Sequence, residues 1–243
     1  MARGSKQGQQ DFQFKTWGGK RKGAGRPPRS QRSSEPHKRR ERFSRTMPVH
    51  VTLRIVDGLG KLRRRAIYKA IGRAVVTVLG MPDFRIVHLS LENDHLHLLV
   101  EAASDGALAR GIKAFGSSAA QRINQVISDE RGVPRRGNVF ADRYHARLIR
   151  SPTQARHALA YVLNNWRRHR LDASPVTRSW EVDYYSTGPS FPGWRELDAA
   201  AFLYQVPATY ERLVVARPQT WLLATGWQKA GSISMTEVPG PRP

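Results

Sequence analysis

The stretch LENDHLHLLVE, Leu91 to Glu101, decides how the rest of the chain is read. Side chains alternate across a strand, so Leu96, Leu98 and Val100 take one face. His95 and His97 take the other, about 7 Å apart along the chain. Asn93-Asp94 supplies turn chemistry between this segment and the preceding DFRIVHLSL, and the two read as a hairpin. Alternation in that earlier strand puts Val87, Leu89 and Leu91 on one face and Ile86, His88 and Ser90 on the other. The two imidazoles therefore replace no core residue. They raise the question of what lies against their face.

Upstream, VHVTLRIV alternates in the same way, with Val49, Val51, Leu53 and Ile55 on one side and His50, Thr52 and Arg54 on the other. The segment between the strands, GKLRRRAIYKAIGRAVVTVLG, sets Leu62, Ile67, Ala70, Ile71 and Val75 at helical spacing, with Gly80 as a stop. Downstream, Asp105 is expected to cap a helix through GALARGIKAFGSSAAQRINQVI. A basic loop then leads to a fourth strand near DRYHARLIR. Ser151-Pro152 opens a last helix, PTQARHALAYVLNNWRRH, with proline where its missing N–H costs nothing. The order β-α-β-β-α-β plus a final helix predicts an α+β, ferredoxin-like fold. In it, two helices cover one face of an antiparallel sheet, and His50, Thr52, Arg54, His95 and His97 share the uncovered face.

The charge points to the partner. Of the 243 residues, 41 are Lys or Arg and 19 are Asp or Glu, a net charge of +22. That excess is far beyond what solubility requires and suits a polyanion. It divides the chain into three. Residues 1–46 hold 14 basic and 3 acidic residues and few apolar ones, which reads as a disordered basic arm. Residues 47–170 hold 21 and 9 and form the expected domain. Residues 171–243 hold 6 and 7 and read as a neutral tail packing on that domain. Within the arm, GGKRKGAGRPPRS centres on Arg26, which suits either a minor-groove hook or a general phosphate grip. The absence of cysteine excludes disulfides and thiolate metal sites. No apolar run approaches the roughly 18 residues needed to span a bilayer, and MARGSKQGQQ lacks the apolar centre of a secretory signal. A cytoplasmic protein with no membrane partner is expected.

Two imidazoles on one face become a metal site only if another element adds a ligand. The last helix offers Tyr161 and Asn165, four residues apart and so on one helix face. A tyrosine beside an amide oxygen, laid over a His-x-His strand, suits phosphoryl transfer. A metal would polarise the phosphate, and the phenolic oxygen would attack phosphorus. Tyr144 in DRYHAR is the rival nucleophile, without a comparable amide partner. His50, Arg54 and His88 are expected to face DNA and contact phosphates, and Tyr184, Tyr185, Phe191, Trp194, Trp221 and Trp227 either stack on bases or pack the tail.

With these motifs in place, the chain resembles the single-tyrosine HUH transposases, and within them the REP-associated tyrosine transposases (RAYTs) of bacteria. The resemblance runs from Pro48 onward. It rests on HVTLRIV, FRIVHLSLENDHLHLLVEA, NVFADRYHARLIRSPTQARHALAYVLNNWRRH, DYYSTGPSFPGW and PQTWLLATGWQKAG in combination. It implies His95 and His97 as the HUH pair, Tyr161 as nucleophile, Asn165 as third ligand, and Mg²⁺ or Mn²⁺ as the ion. Arg143 falls in a recurrent stretch and is expected to touch DNA. The implied activity is cleavage and transfer of single-stranded or hairpin DNA, such as repetitive extragenic palindromes, through a covalent 5′-phosphotyrosine. The protein would act as a monomer or homodimer near the bacterial nucleoid. Two rivals remain on the residues alone. A non-catalytic nucleic-acid-binding sheet would want aromatics at the central positions, which here carry His, Thr and Arg. A water-activating nuclease would want a carboxylate cluster, where only Asp94 and Glu101 lie near.

Overall fold

A computed structural model describes residues 44–171, 182–197 and 210–240. The expected arm, with Arg26, lies outside the described residues except for its last three. The strands are β1 (Val49–Arg54), β2 (Phe84–Leu91), β3 (His95–Ala102) and β4 (His145–Leu148). They form one antiparallel sheet in the order β2-β3-β1-β4, the ferredoxin-like order. Helices α1 (Arg65–Val76) and α2 (Asp105–Arg131) pack on each other and close one face. Helix α3 (Pro152–Arg168) crosses the other face over β2 and β3.

Each face has its own core. Val49, Val51, Leu53, Leu96, Leu98 and Val100 meet Ile67, Ile71, Phe115 and Ile123 from α1 and α2. Val87 and Leu99 meet Leu159, Val162 and Leu163 of α3, together with Phe191, Trp194, Leu222 and Trp227 of the tail. Three of the six tail aromatics are thus core residues, while Trp221 is 53% exposed. The face expected to stay uncovered is covered, because α3 brings an apolar side of its own that needs a surface to bury it.

Two local readings are corrected. The cap of α2 is Ser104, whose hydroxyl accepts from Ala107 N at 3.2 Å, and Asp105 is the first helical residue, where its charge meets the positive end of the helix. In β2 the register jumps from Ile86↔Val100 to His88↔Leu99. This bulge adds one residue and reverses the alternation. Phe84, Ile86, Leu89 and Leu91 therefore lie in the first core, and Val87 joins the second.

At the crossing of α2 over β2, a Cβ built on Gly111 would stand 2.1 Å from the Phe84 ring. Phe84 is fully buried. Gly111→Ala is expected to destabilise the fold by about 1–3 kcal/mol through overpacking, read as a lower urea midpoint. An unchanged midpoint would show that the ring can move aside.

The tail also protects the sheet edge. Leu91 N donates to Tyr185 O and Thr187 N to Leu89 O, both at 2.9 Å, so residues 185–187 occupy the outer side of β2. At the other end of β3, the buried Glu101 carboxylate accepts from Gln219 N, Thr220 N, Thr220 Oγ1 (2.7 Å) and Arg85. Helix α3 is held from above as well. Asn164 donates to Ser234 O, Arg167 to Met235 O, and Arg156 pairs with Glu237.

Candidate functional site

The register of the sheet assembles the site. Thr52 stands opposite His97 and Arg54 opposite His95 across β1 and β3, while Ser90 of β2 flanks His97 on its other side. All of these share the α3 face. His95 and His97 turn their Nε2 atoms toward each other, 2.8 Å apart. Their Nδ1 atoms face away to separate partners. His95 Nδ1 meets Asp94 Oδ1 at 2.6 Å, and His97 Nδ1 meets Thr52 Oγ1 at 3.2 Å and His50 Nε2 at 3.1 Å. A carboxylate only accepts, so His95 Nδ1 carries the proton when the ring is neutral. Its Nε2 lone pair is then free to point at the gap between the rings.

Helix α3 supplies the rest on one stripe of i, i+4, i+8 positions: Tyr161, Asn165 and His169. The Tyr161 ring lies edge-on to His97 at 5.1 Å and to His50 at 5.7 Å between centroids. One turn beyond Asn165, His169 stands 6.0 Å from His95. Burial, then the nearby His95, lowers the pKa of His169. Asn165 is fully buried, and neither its Oδ1 nor its Nδ2 has a hydrogen-bond partner.

Beside them lies Glu92, 1% exposed, with both carboxylate oxygens unpartnered. Burial, with Asp183 adding to it, pushes its pKa up to about 7, while Arg63, Asn165 and Ser90 hold it down. Arg63 is committed elsewhere. It grips Asp183 of the tail through two bonds of 2.9 and 2.6 Å, donates to Leu91 O, and reaches Glu92 only at 4.0 Å.

Among the described residues no three His, Asp or Glu side chains converge as a metal cage. With the Asn165 amide oxygen beside the two Nε2 atoms, the donor set would fit a cation. Two ligands about 2.1 Å from one ion in adjacent octahedral positions stand about 3 Å apart, close to the separation of the two Nε2 atoms. The Asp94–His95 contact is the outer partner that metal-bound histidines characteristically have. Asn165 Oδ1 is a buried acceptor in want of a partner.

The remaining expected residues lie in varied settings. His88 is buried under the tail, bonded to Thr187 and edge-on to Phe191, and burial lowers it to about 4. It is therefore a neutral packing residue, not a phosphate contact; the bulge and the tail put it there. His50 is likewise buried at 3%, behind His97, and does not face solvent. Arg54, opposite His95, is exposed, and so is Arg143, two residues before β4. Tyr144 packs against the first core, on the far side of the sheet from the histidines. The β4 register adds His145 and Arg147 opposite Thr52 and His50, a pair that the sequence reading did not single out. It also passed over the site roles of Glu92, Asp94 and His169. The hairpin and helix spacings carried the signal for all three.

Comparison with known proteins follows the same segment. Residues 48–165 match the family model described as "Transposase IS200 like". No curated protein matches the sequence. Two solved structures are similar at low identity. One is a REP-associated tyrosine transposase bound to a REP hairpin, 16% identical, covering 74% of this chain and 99% of its own, with a TM-score of 0.49. The other is a protein from Deinococcus radiodurans R1 named as a transposase, 17% identical, covering 58% of this chain and 97% of its own, with a TM-score of 0.31.

Proposed function

Because residues 48–165 match the IS200-like transposase family model, we propose that the chain is a member of that family and cuts and rejoins single-stranded or hairpin DNA through a phosphotyrosine at Tyr161. The observation that carries this is the convergence of His95 Nε2 and His97 Nε2 at 2.8 Å beneath the Tyr161 ring, with Asn165 unpartnered one turn along the same helix. His95, His97 and Asn165 are the proposed ligands of Mg²⁺ or Mn²⁺. When bound, the ion would polarise a phosphate oxygen and offset the charge that develops in displacement.

The protein's own groups do the remaining work. Asp94 and Thr52 hold the two imidazoles with Nε2 inward. Tyr161 Oη attacks phosphorus in line with the departing 3′ oxygen. One P–O3′ bond breaks and one P–Oη bond forms. The phenolic proton leaves to solvent, and the 3′ oxygen takes one up. Attack by the 3′ hydroxyl of another strand reverses the step and frees Tyr161. Arg54, Arg143 and Arg147 are the proposed phosphate contacts at the site's margin. Hairpin DNA such as a repetitive extragenic palindrome is the proposed substrate, met in the bacterial cytoplasm. Among the described residues no helix is long and apolar enough to cross a membrane.

Incubation with single-stranded hairpin DNAs and Mn²⁺, followed by a denaturing gel, tests the reading. A protein–DNA adduct supports it, and free cleaved strands without adduct would indicate hydrolysis by activated water. The non-catalytic alternative finds no support, since α3 occupies the sheet face on which bases would have to stack.

The basic arm yields a separate expectation. Residues 1–46 carry half the net charge and none of the proposed chemistry. Their removal is expected to leave adduct formation at saturating DNA intact. It should weaken binding at physiological salt and flatten its salt dependence by roughly 0.7 in slope per lost single-strand phosphate contact. If Arg26 enters a minor groove, the loss is larger on A·T-rich duplex. Titrations of full-length and truncated protein at several salt concentrations check this, and an unchanged slope would show that the arm does not touch DNA.

A further inference from the structure

Seven buried side-chain polar atoms among the described residues have no hydrogen-bond partner, and five of them belong to Ser90, Glu92 and Asn165. Their common location follows from the backbone. Glu92 N donates to His95 O across the Asn93-Asp94 turn, so Glu92 and His95 are directly opposed in the hairpin. Opposed residues project to one face with Cβ atoms about 5 Å apart. Ser90, two residues earlier, projects the same way beside His97. Asn165 comes down on this group from α3, between Tyr161 over His97 and His169 beside His95.

A buried carboxylate without a bonded partner is costly. The nearby cation relieves it only in part, because the guanidinium of Arg63 bonds to Asp183 and stands 4.0 Å from Glu92. An amide presents a second problem. Asn165 has a donor end and an acceptor end of nearly equal size, and only the oxygen can bind a cation. Packing alone cannot tell the two ends apart. An ionised carboxylate on one side can, because in that form it accepts and does not donate.

We infer that Glu92 is a positioning residue for the proposed cation site, drawing the Asn165 Nδ2 donor to itself and so turning Asn165 Oδ1 toward His95 and His97. The inference rests on the ligand set proposed above. Ser90 and Asn165 already lie beside Glu92, although neither makes a well-aligned bond to it. The alignment closes when Oδ1 gains a partner.

Calorimetric titration of the full-length protein with MnCl₂, without DNA, tests this. Asn165→Ala and Glu92→Ala should each weaken Mn²⁺ binding by about 10-fold or more, the scale on which outer partners of metal ligands act. The double variant should be no weaker than Asn165→Ala, because Glu92 acts only through the amide. Glu92→Gln, whose amide oxygen still accepts but whose nitrogen can also donate, should restore only part of the affinity. Removing the carboxylate should leave the metal-free urea midpoint unchanged or raise it, whereas a merely structural partner of Arg63 would lower it.

Additive losses in the double variant, or full Mn²⁺ affinity in Glu92→Ala alongside a weakened Asn165→Ala, would overturn the role of Glu92 and leave the ligand set standing. Full affinity in Asn165→Ala would overturn both. Should Glu92→Ala not fold, Asn165→Asp carries the test. With oxygen at both ends it needs no orienting, so adding Glu92→Gln should then tighten Mn²⁺ by relieving repulsion; a weaker site would refute the inference.

Discussion

Tyr161→Phe is expected to bind hairpin DNA as the unaltered protein does and to form no covalent adduct, a loss on the order of 10⁴-fold or more, the scale of single-nucleophile deletions. The substitution removes one oxygen and keeps the ring that packs against His97 and His50, so the fold and the neighbouring imidazoles should be undisturbed. Tyr144→Phe is the control. That ring packs on the first core, on the far side of the sheet, and its loss should leave adduct formation in place. Denaturing gels of the two variants on a labelled hairpin decide between them. An adduct that persists in Tyr161→Phe and vanishes in Tyr144→Phe would reverse the assignment.

The second large effect concerns the histidine pair. His95→Ala, His97→Ala or an excess of EDTA should each reduce strand cleavage by about 10³-fold, since the proposed ion would contribute several kcal/mol of transition-state charge stabilisation. DNA affinity should change little, because Lys and Arg on phosphates supply most of it. His95 and His97 differ in one respect. His95 takes its outer contact from Asp94, an exposed turn residue, whereas the outer contacts of His97, Thr52 and His50, are buried. Cleavage that survives undiminished in EDTA would sink the metal reading.

Much of this was legible in the sequence, and the exceptions have physical causes. Strict alternation in β1 and β3 placed His50, Thr52, Arg54, His95 and His97 on one face, and that grouping holds. Spacing of four placed Tyr161 and Asn165 on one stripe of α3. The same alternation misplaced Ile86 and Val87, because a bulge inserts a residue without a signature in composition. His88 looked surface-bound for a related reason. It is the tail, returning about a hundred residues later with Thr187 and Phe191, that buries it. The Arg63–Asp183 clamp spans 120 positions, and no local pattern announces such a partner. Glu92 was passed over as a residue beside a turn. Its importance lies in the absence of a bonded partner, a property that only packing reveals.

The bonds from α3 to the tail have a mechanical consequence. A DNA strand joined to Tyr161 would be a tether, and any motion of the DNA would load the helix that carries it. Resting on the sheet through apolar contacts alone, α3 could slide, since such contacts have no direction. Here Asn164 and Arg167 flank the stripe of Tyr161 and Asn165 and tie into Ser234 and Met235, while Arg156, nearer the helix start, ties into Glu237. The tail in turn is fastened at Glu101, at the far end of the strand that carries both histidines. Force applied at the tyrosine would thus run through α3 into the tail and back into β3, so Tyr161 and the histidines would be carried together under tension.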